Sequence, residues 1–299
     1  MDYIKQLNQI ANILMLNCQK ANGQGLLTGP LGIAMFFYHY ARFVDAKRYF
    51  DFADGILSDT IETSLNIATR DFAKGFLGIG WSMKYLSNFH FVQLQKDSLA
   101  EIERMLTKKH GGDVDWSLSG CNDVFAEGLF VIGMDERIVA EILHKLYRIL
   151  HKPVRFSLCY LNSVMYFLSR LPKKLLKSFV AKKVTSQLKV LLTKYYVEAS
   201  APCRDVYIFN RLCRHFGIEK LQPRMQMDVM EDIYMNWQTV VYSCMPTSSE
   251  ILPVVILDQY LERITCDVPY GKLSLDGLAS LGINLIVRDR KYKNLKEIL

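Results

Sequence analysis

Gly25-Leu-Leu-Thr-Gly29-Pro-Leu-Gly32-Ile-Ala34 and Gly75-Phe-Leu-Gly78-Ile-Gly80-Trp81 share one spelling: glycine, two residues, a small residue, one residue, then glycine or alanine. The pattern returns, eroded, as Gly128-Leu-Phe-Val131-Ile-Gly133 and as Gly277-Leu-Ala-Ser280-Leu-Gly282. Copies at 29, 75 and 128 are 46 and 53 residues apart, and the last follows after 149, about three further periods. Each copy opens an apolar stretch, such as Ile33-Ala-Met-Phe-Phe-Tyr38, Ile79-Gly-Trp-Ser-Met-Lys-Tyr-Leu86 or Leu281-Gly-Ile-Asn-Leu-Ile286. Small residues at a helix start let neighbouring backbones approach closely.

Between the copies the apolar residues fall three and four apart, the period of a helix with one buried face. Ile138, Val139, Ile142, Leu143, Leu146, Ile149 and Leu150 follow this rule, as do Leu175, Leu176, Phe179, Val180, Val184, Leu188, Leu191, Leu192 and Tyr195. One helix type is thus apolar nearly all round and the other is two-sided, as an inner and an outer ring require. The spacing predicts an all-α fold, an α/α toroid of six or seven helical hairpins in a single domain over 1–299. The stretch 218–248 is ambiguous.

Composition narrows the class. Half of the 299 residues are apolar and 12% are aromatic, which argues against disorder, and 8 prolines with little Val-Thr alternation argue against an all-β chain. The longest apolar runs, such as Ile251-Leu-Pro-Val-Val-Ile-Leu257, fall far short of the roughly 18 residues of a membrane span. The N-terminal residues lack the basic start and unbroken apolar stretch of a secretory signal. An odd number of cysteines, 7, with no C-x-x-C pair, points to a reducing cytoplasm and mostly buried thiols.

The net charge of +7 is unevenly placed. Residues 142–197 contain no Asp or Glu and carry +12, leaving −5 for the rest. Lys173, Lys174, Lys177, Lys182 and Lys183 are the centre of this segment and form a candidate surface for an acidic partner, such as a peptide, an acidic protein or nucleic acid. Arginine is sparse and aromatics are not interleaved for base stacking, which makes nucleic acid the weaker choice. A solvated helix face is the plainer explanation of the same residues.

The glycine motifs resemble the recurring helix starts of the lanthionine synthetase C-like family. Leu275-Asp-Gly-Leu-Ala-Ser-Leu-Gly282 is similar to that family's final repeat, and Asn162-Ser163 with Tyr166-Phe167-Leu168 to a middle one. The resemblance implies a seven-hairpin α/α toroid and a protein of peptide modification. Family members with a full site use zinc to activate a peptide cysteine for addition to a dehydrated Ser or Thr. A metal in that role needs three protein ligands and an open position, and it lowers the thiol pKa so that a thiolate forms near neutrality. The family draws its ligands from a cysteine opening one inner helix and a Cys-His-Gly opening the next. No Cys-His pair exists here, so the expected cofactor set is empty; a rearranged zinc site would have to use Cys203, Cys244 and His215.

A toroid's inner rim is lined by residues at helix starts. Candidates are Arg70, Asp71, Asp115, Trp116, Asp123, Glu127, Arg204, Asp205 and Asp276, with Asp71, Asp115, Trp116, Arg204 and Asp205 as the binding set. Helix capping accounts for several of these carboxylates equally well. The expected function is peptide handling or binding without zinc-thiolate catalysis. A zinc-dependent peptide cyclase is the first alternative. The second is a carbohydrate-active toroid enzyme, in which one carboxylic acid protonates the leaving oxygen and another activates water. No P-loop, dinucleotide fingerprint or G-x-S-x-G elbow occurs.

Overall fold

The structure, a computed structural model, describes residues 3–21, 25–64, 71–95, 99–100, 136–152, 156–198, 201–221, 226–244, 246–247, 250–266, 272–289 and 292. Every regular element among them is helical, and none of the described helices is long and apolar enough to cross a membrane. The chain divides into two compact units. One comprises Met1–Ile102 and Asp228–Leu299, and the other, Glu103–Met227, lies between those halves in sequence.

In the first unit α1 is Ile4–Asn17, α2 Pro30–Val44, α3 Lys47–Ser64 and α4 Phe76–Asn88. The second unit holds α5 (Glu136–Leu150), α6 (Leu158–Ser169), a short α7 (Lys173–Leu176), α8 (Phe179–Glu198) and α9 (Cys203–Leu212). The first then resumes with a π-helical turn at Val229–Tyr234, α10 (Trp237–Val241), α11 (Val254–Cys266) and α12 (Leu278–Arg288). Among its described residues the ambiguous stretch holds that π turn and the five residues of α10, too short for a clear period.

Both expected helix types are present. Leu31–Ala41 of α2 and Leu278–Val287 of α12 are buried at every position, and in α6 so are Leu158 and Tyr160–Leu168. By contrast α5 buries Val139, Ile142, Leu143, Leu146, Ile149 and Leu150 and turns its other side to solvent. Pairing follows from the loops. Asp45 ends α2 in the left-handed conformation (φ 52), its N–H bonded to the Ala41 carbonyl, so α3 begins two residues later and folds back along α2. Phe37 meets Phe52 edge-on across this hairpin, ring centroids 4.8 Å apart. In the second unit α5 lies along α8 and α6 along α9.

One amphipathic helix through 175–195 does not form. The chain breaks at Lys177-Ser178, between α7 and α8, and Ser178 Oγ accepts from the Ala181 N–H. Leu176 and Phe179, expected on the buried face, are exposed, while Ala181, Val184, Leu188, Leu191 and Leu192 are buried. The break resets the helix phase, so periodicity read across it assigns the first two residues to the wrong side.

Candidate functional site

In the first unit the glycine motifs bring three helix starts together. The loop before α2 lies between the loops before α4 and α12: Leu27 N–H donates to the Ala73 carbonyl at 3.1 Å, and Asp276 N–H to the Leu27 carbonyl at 3.0 Å. Ser274 Oγ donates to the Leu26 carbonyl at 3.1 Å. The last motif in the sequence is therefore hydrogen-bonded to the first, and the first to the second. Such contact demands glycine. A Cβ on Gly25 would lie 2.1 Å from the Ala73 carbonyl oxygen, and one on Gly32 would lie 2.7 Å from the Leu275 nitrogen.

Asp71 stands at this junction, but its Oδ1 accepts from the Ala73 and Lys74 N–H groups at 2.5 and 2.9 Å. It caps the turn that leads into α4. In the second unit Asn162, fully buried, donates through Nδ2 to the Asp205 carbonyl at 2.8 Å, joining α6 to the first turn of α9. Asp205 is buried there, whereas Arg204 projects to solvent. Arg70, Asp115, Trp116, Asp123 and Glu127 lie outside the described residues.

The thiols do not reproduce the family's ligand pattern. Cys203 does open α9, half-buried, at a helix start. His215 closes the 3-10 turn Cys213–His215 beyond the far end of that helix and is exposed. Twelve helical steps separate the two by roughly 18 Å, too far to share one ion. In the first unit Cys244 follows the end of α10 instead of starting it, buried, with its thiol toward the Tyr242 carbonyl at 3.6 Å. The start of α10 carries Asn236, which accepts from Gln238 N–H at 3.0 Å, then Trp237 and Gln238. Among the described residues no three His, Cys, Asp or Glu are grouped to hold a metal.

No motif or spacing in the sequence singles out His39. It is fully buried in α2, with Nε2 2.7 Å from the Tyr85 hydroxyl and Nδ1 3.2 Å from that of Tyr292. Phe89 and Phe91 meet the imidazole edge-on at 5.1 and 4.9 Å. Arg42 lies over the Phe91 ring at 3.8 Å. Burial, and secondarily the Arg42 charge, lower the His39 pKa to about 3, so the ring is neutral. Burial likewise pushes the Tyr85 and Tyr292 phenols upward, leaving neutral hydroxyls as its partners. This is an uncharged, hydrogen-bonded core group.

The basic surface is as exposed as its composition suggests. Lys173, Lys174, Lys177, Lys182 and Lys183 all face solvent. Lys174 reaches Glu136 at 3.1 Å, an exposed pair of little energetic weight. Lys183 Nζ lies 4.3 Å from the centroid of the Phe179 ring.

No protein-family model, curated protein or solved structure matches the chain.

Proposed function

We propose that the chain is a divergent lanthionine synthetase C-like protein, a closed α/α toroid of helical hairpins that binds a peptide at its inner helix starts without zinc-thiolate catalysis. The observation that carries this reading is the seating of the last glycine motif beside the first, through Asp276 N–H to Leu27 and Ser274 Oγ to Leu26. A linear stack of repeats has no reason to join its ends, whereas a ring must. Gly25, Gly32, Gly78 and Gly277, four of the glycines that carry the resemblance, leave no room for a Cβ beside neighbouring backbone.

The ligand positions weigh against the cyclase form of the family. Cys203 retains one helix-start cysteine, but Asn236, Trp237 and Gln238 stand at the start of α10. What remains is recognition. Arg204, exposed on the first turn of α9, is a fixed cation able to fork a peptide carboxylate.

Metal analysis of untagged protein, prepared without chelator, is expected to give well below one zinc per chain, unchanged by Cys203→Ala or Cys244→Ala. One zinc lost in either variant would restore the cyclase. Fluorescence anisotropy with short labelled peptides containing Ser, Thr and Cys is expected to give dissociation constants on the order of micromolar. Arg204→Glu is expected to weaken them about tenfold. Absence of any peptide binding, or binding indifferent to Arg204, would sink this reading of the site.

A further inference from the structure

The exposed side of α8 is ordered in a way that solubility does not require. Phe179, Ser186, Val190 and Thr193 succeed one another at 7, 4 and 3 residues, so they form one narrow stripe along the helix. Phe179 is 70% exposed and Val190 53%. Lysines border the stripe on both sides: Lys182 and Lys189 along one, Lys183 along the other. The opposite side, Ala181, Val184, Leu188, Leu191 and Leu192, is buried in the second unit. Just before the helix, α7 and the break add Lys173, Lys174, Lys177 and the exposed Leu176. Glu136 is the one carboxylate paired with these lysines among the described residues.

We infer that this face docks on an anionic phospholipid surface. Lysines flanking a protruding aromatic and a β-branched residue satisfy both halves of an interface: ammonium groups at the headgroup phosphates, apolar tips just beneath them. Three features favour a lipid surface over an acidic polypeptide. The described cations are lysines, point charges suited to a diffuse layer of phosphates, and not the forked arginines that read carboxylates bidentately. The face is the exposed side of a single helix, whereas a peptide would need a groove. Phe179 is 70% exposed and, among the described residues, has the Lys183 ammonium over its ring, so insertion needs no rearrangement of the core. The protein would sit on the bilayer and not in it, since no described helix spans one. This inference is independent of the peptide reading, because α8 holds none of the helix-start residues.

The test is co-sedimentation of the full chain with phosphatidylcholine vesicles, with and without about one third phosphatidylserine. Binding is expected on the phosphatidylserine vesicles alone, falling steeply as salt rises from about 0.1 M to about 0.5 M. Each lysine is expected to contribute about fivefold to partitioning, so the triple variant Lys182→Glu, Lys183→Glu, Lys189→Glu loses more than about 100-fold. Phe179→Ser is expected to lose about tenfold at constant charge. These side chains are exposed, and unchanged circular dichroism and thermal midpoints would show that the variants fold. Binding that survives charge reversal or ignores Phe179→Ser overturns the inference. So does failure to bind phosphatidylserine vesicles beside saturable binding to poly-glutamate, which would assign the face to an acidic polypeptide. An indifferent vesicle result leaves peptide anisotropy unaffected, so the two readings fail separately.

Discussion

Gly78→Ala is expected to lower the free energy of unfolding by about 3 kcal/mol or more, although it adds a single methyl group. The ordinary effect of this change inside a helix is a gain of about 0.5–1 kcal/mol, because alanine loses less backbone freedom on folding. Here the added carbon would lie 2.0 Å from the Phe72 carbonyl oxygen and 3.0 Å from Leu26 Cβ. The clashing atom is backbone, and it belongs to the turn that Asp71 caps and that Leu27 holds through the Ala73 carbonyl. Relief would have to displace that turn from the start of α4. Gly55→Ala is the matched control: it lies within α3, nothing stands within 4 Å of its added carbon, and it is expected to stabilise by about 0.5–1 kcal/mol. Urea unfolding of the two variants beside the parent reads both effects. Equal, small shifts at the two sites would mean that Gly78 is not packed against the Phe72 carbonyl.

The second large effect is a pH dependence centred on one core imidazole. Folding lowers the His39 pKa from 6.5 to about 3, so below pH 6.5 the unfolded chain binds a proton that the folded chain refuses. Stability is full above the unfolded pKa and falls with acidification until the folded pKa is reached. Near one proton per molecule, the slope approaches about 1.4 kcal/mol per pH unit. The loss between about pH 7.5 and about pH 5 is then about 2 kcal/mol, in a window where ordinary carboxylates are still ionised. The groups facing His39 are the Tyr85 and Tyr292 hydroxyls and the Arg42 guanidinium, none of which changes charge there. His39→Gln keeps a polar partner for the tyrosines and removes the titration. Chemical denaturation across this range is expected to slope for the parent and to flatten for the variant. Parallel curves would mean that His39 is solvated and protonates normally.

Local spacing made much of the helix architecture legible. In α5 the burial follows the three-four rule, with Ile138 half-buried at the edge of the face. The glycine spelling marked the helix starts because close approach leaves a residue-type signature that sequence retains. The α7–α8 region was misread because apolar period continues through Lys177-Ser178, and no proline or glycine marks the break. His39 was invisible for a different reason. Its hydroxyl partners are 46 and 253 residues away, and no periodicity connects them. Asp71 could have been recognised locally, since an aspartate two and three residues before turn N–H groups is an ordinary cap. Cys203 and His215 look close in sequence, but α9 carries them to opposite ends.

The interrupted order of the first unit bears on how the chain is made. Its N-terminal half emerges from the ribosome well before α12, and the whole of 103–227 comes between. The slot beside α2 that α12 fills stays open through that interval, lined by Phe36, whose ring lies where a side chain on Gly282 would go. Gln6 likewise waits for Asp258, 252 residues later. Pairings so distant close slowly, because the loop entropy must be overcome before any contact compensates it. During synthesis the middle segment can therefore mature first, while the flanking halves remain an adhesive, half-finished surface in need of chaperoning.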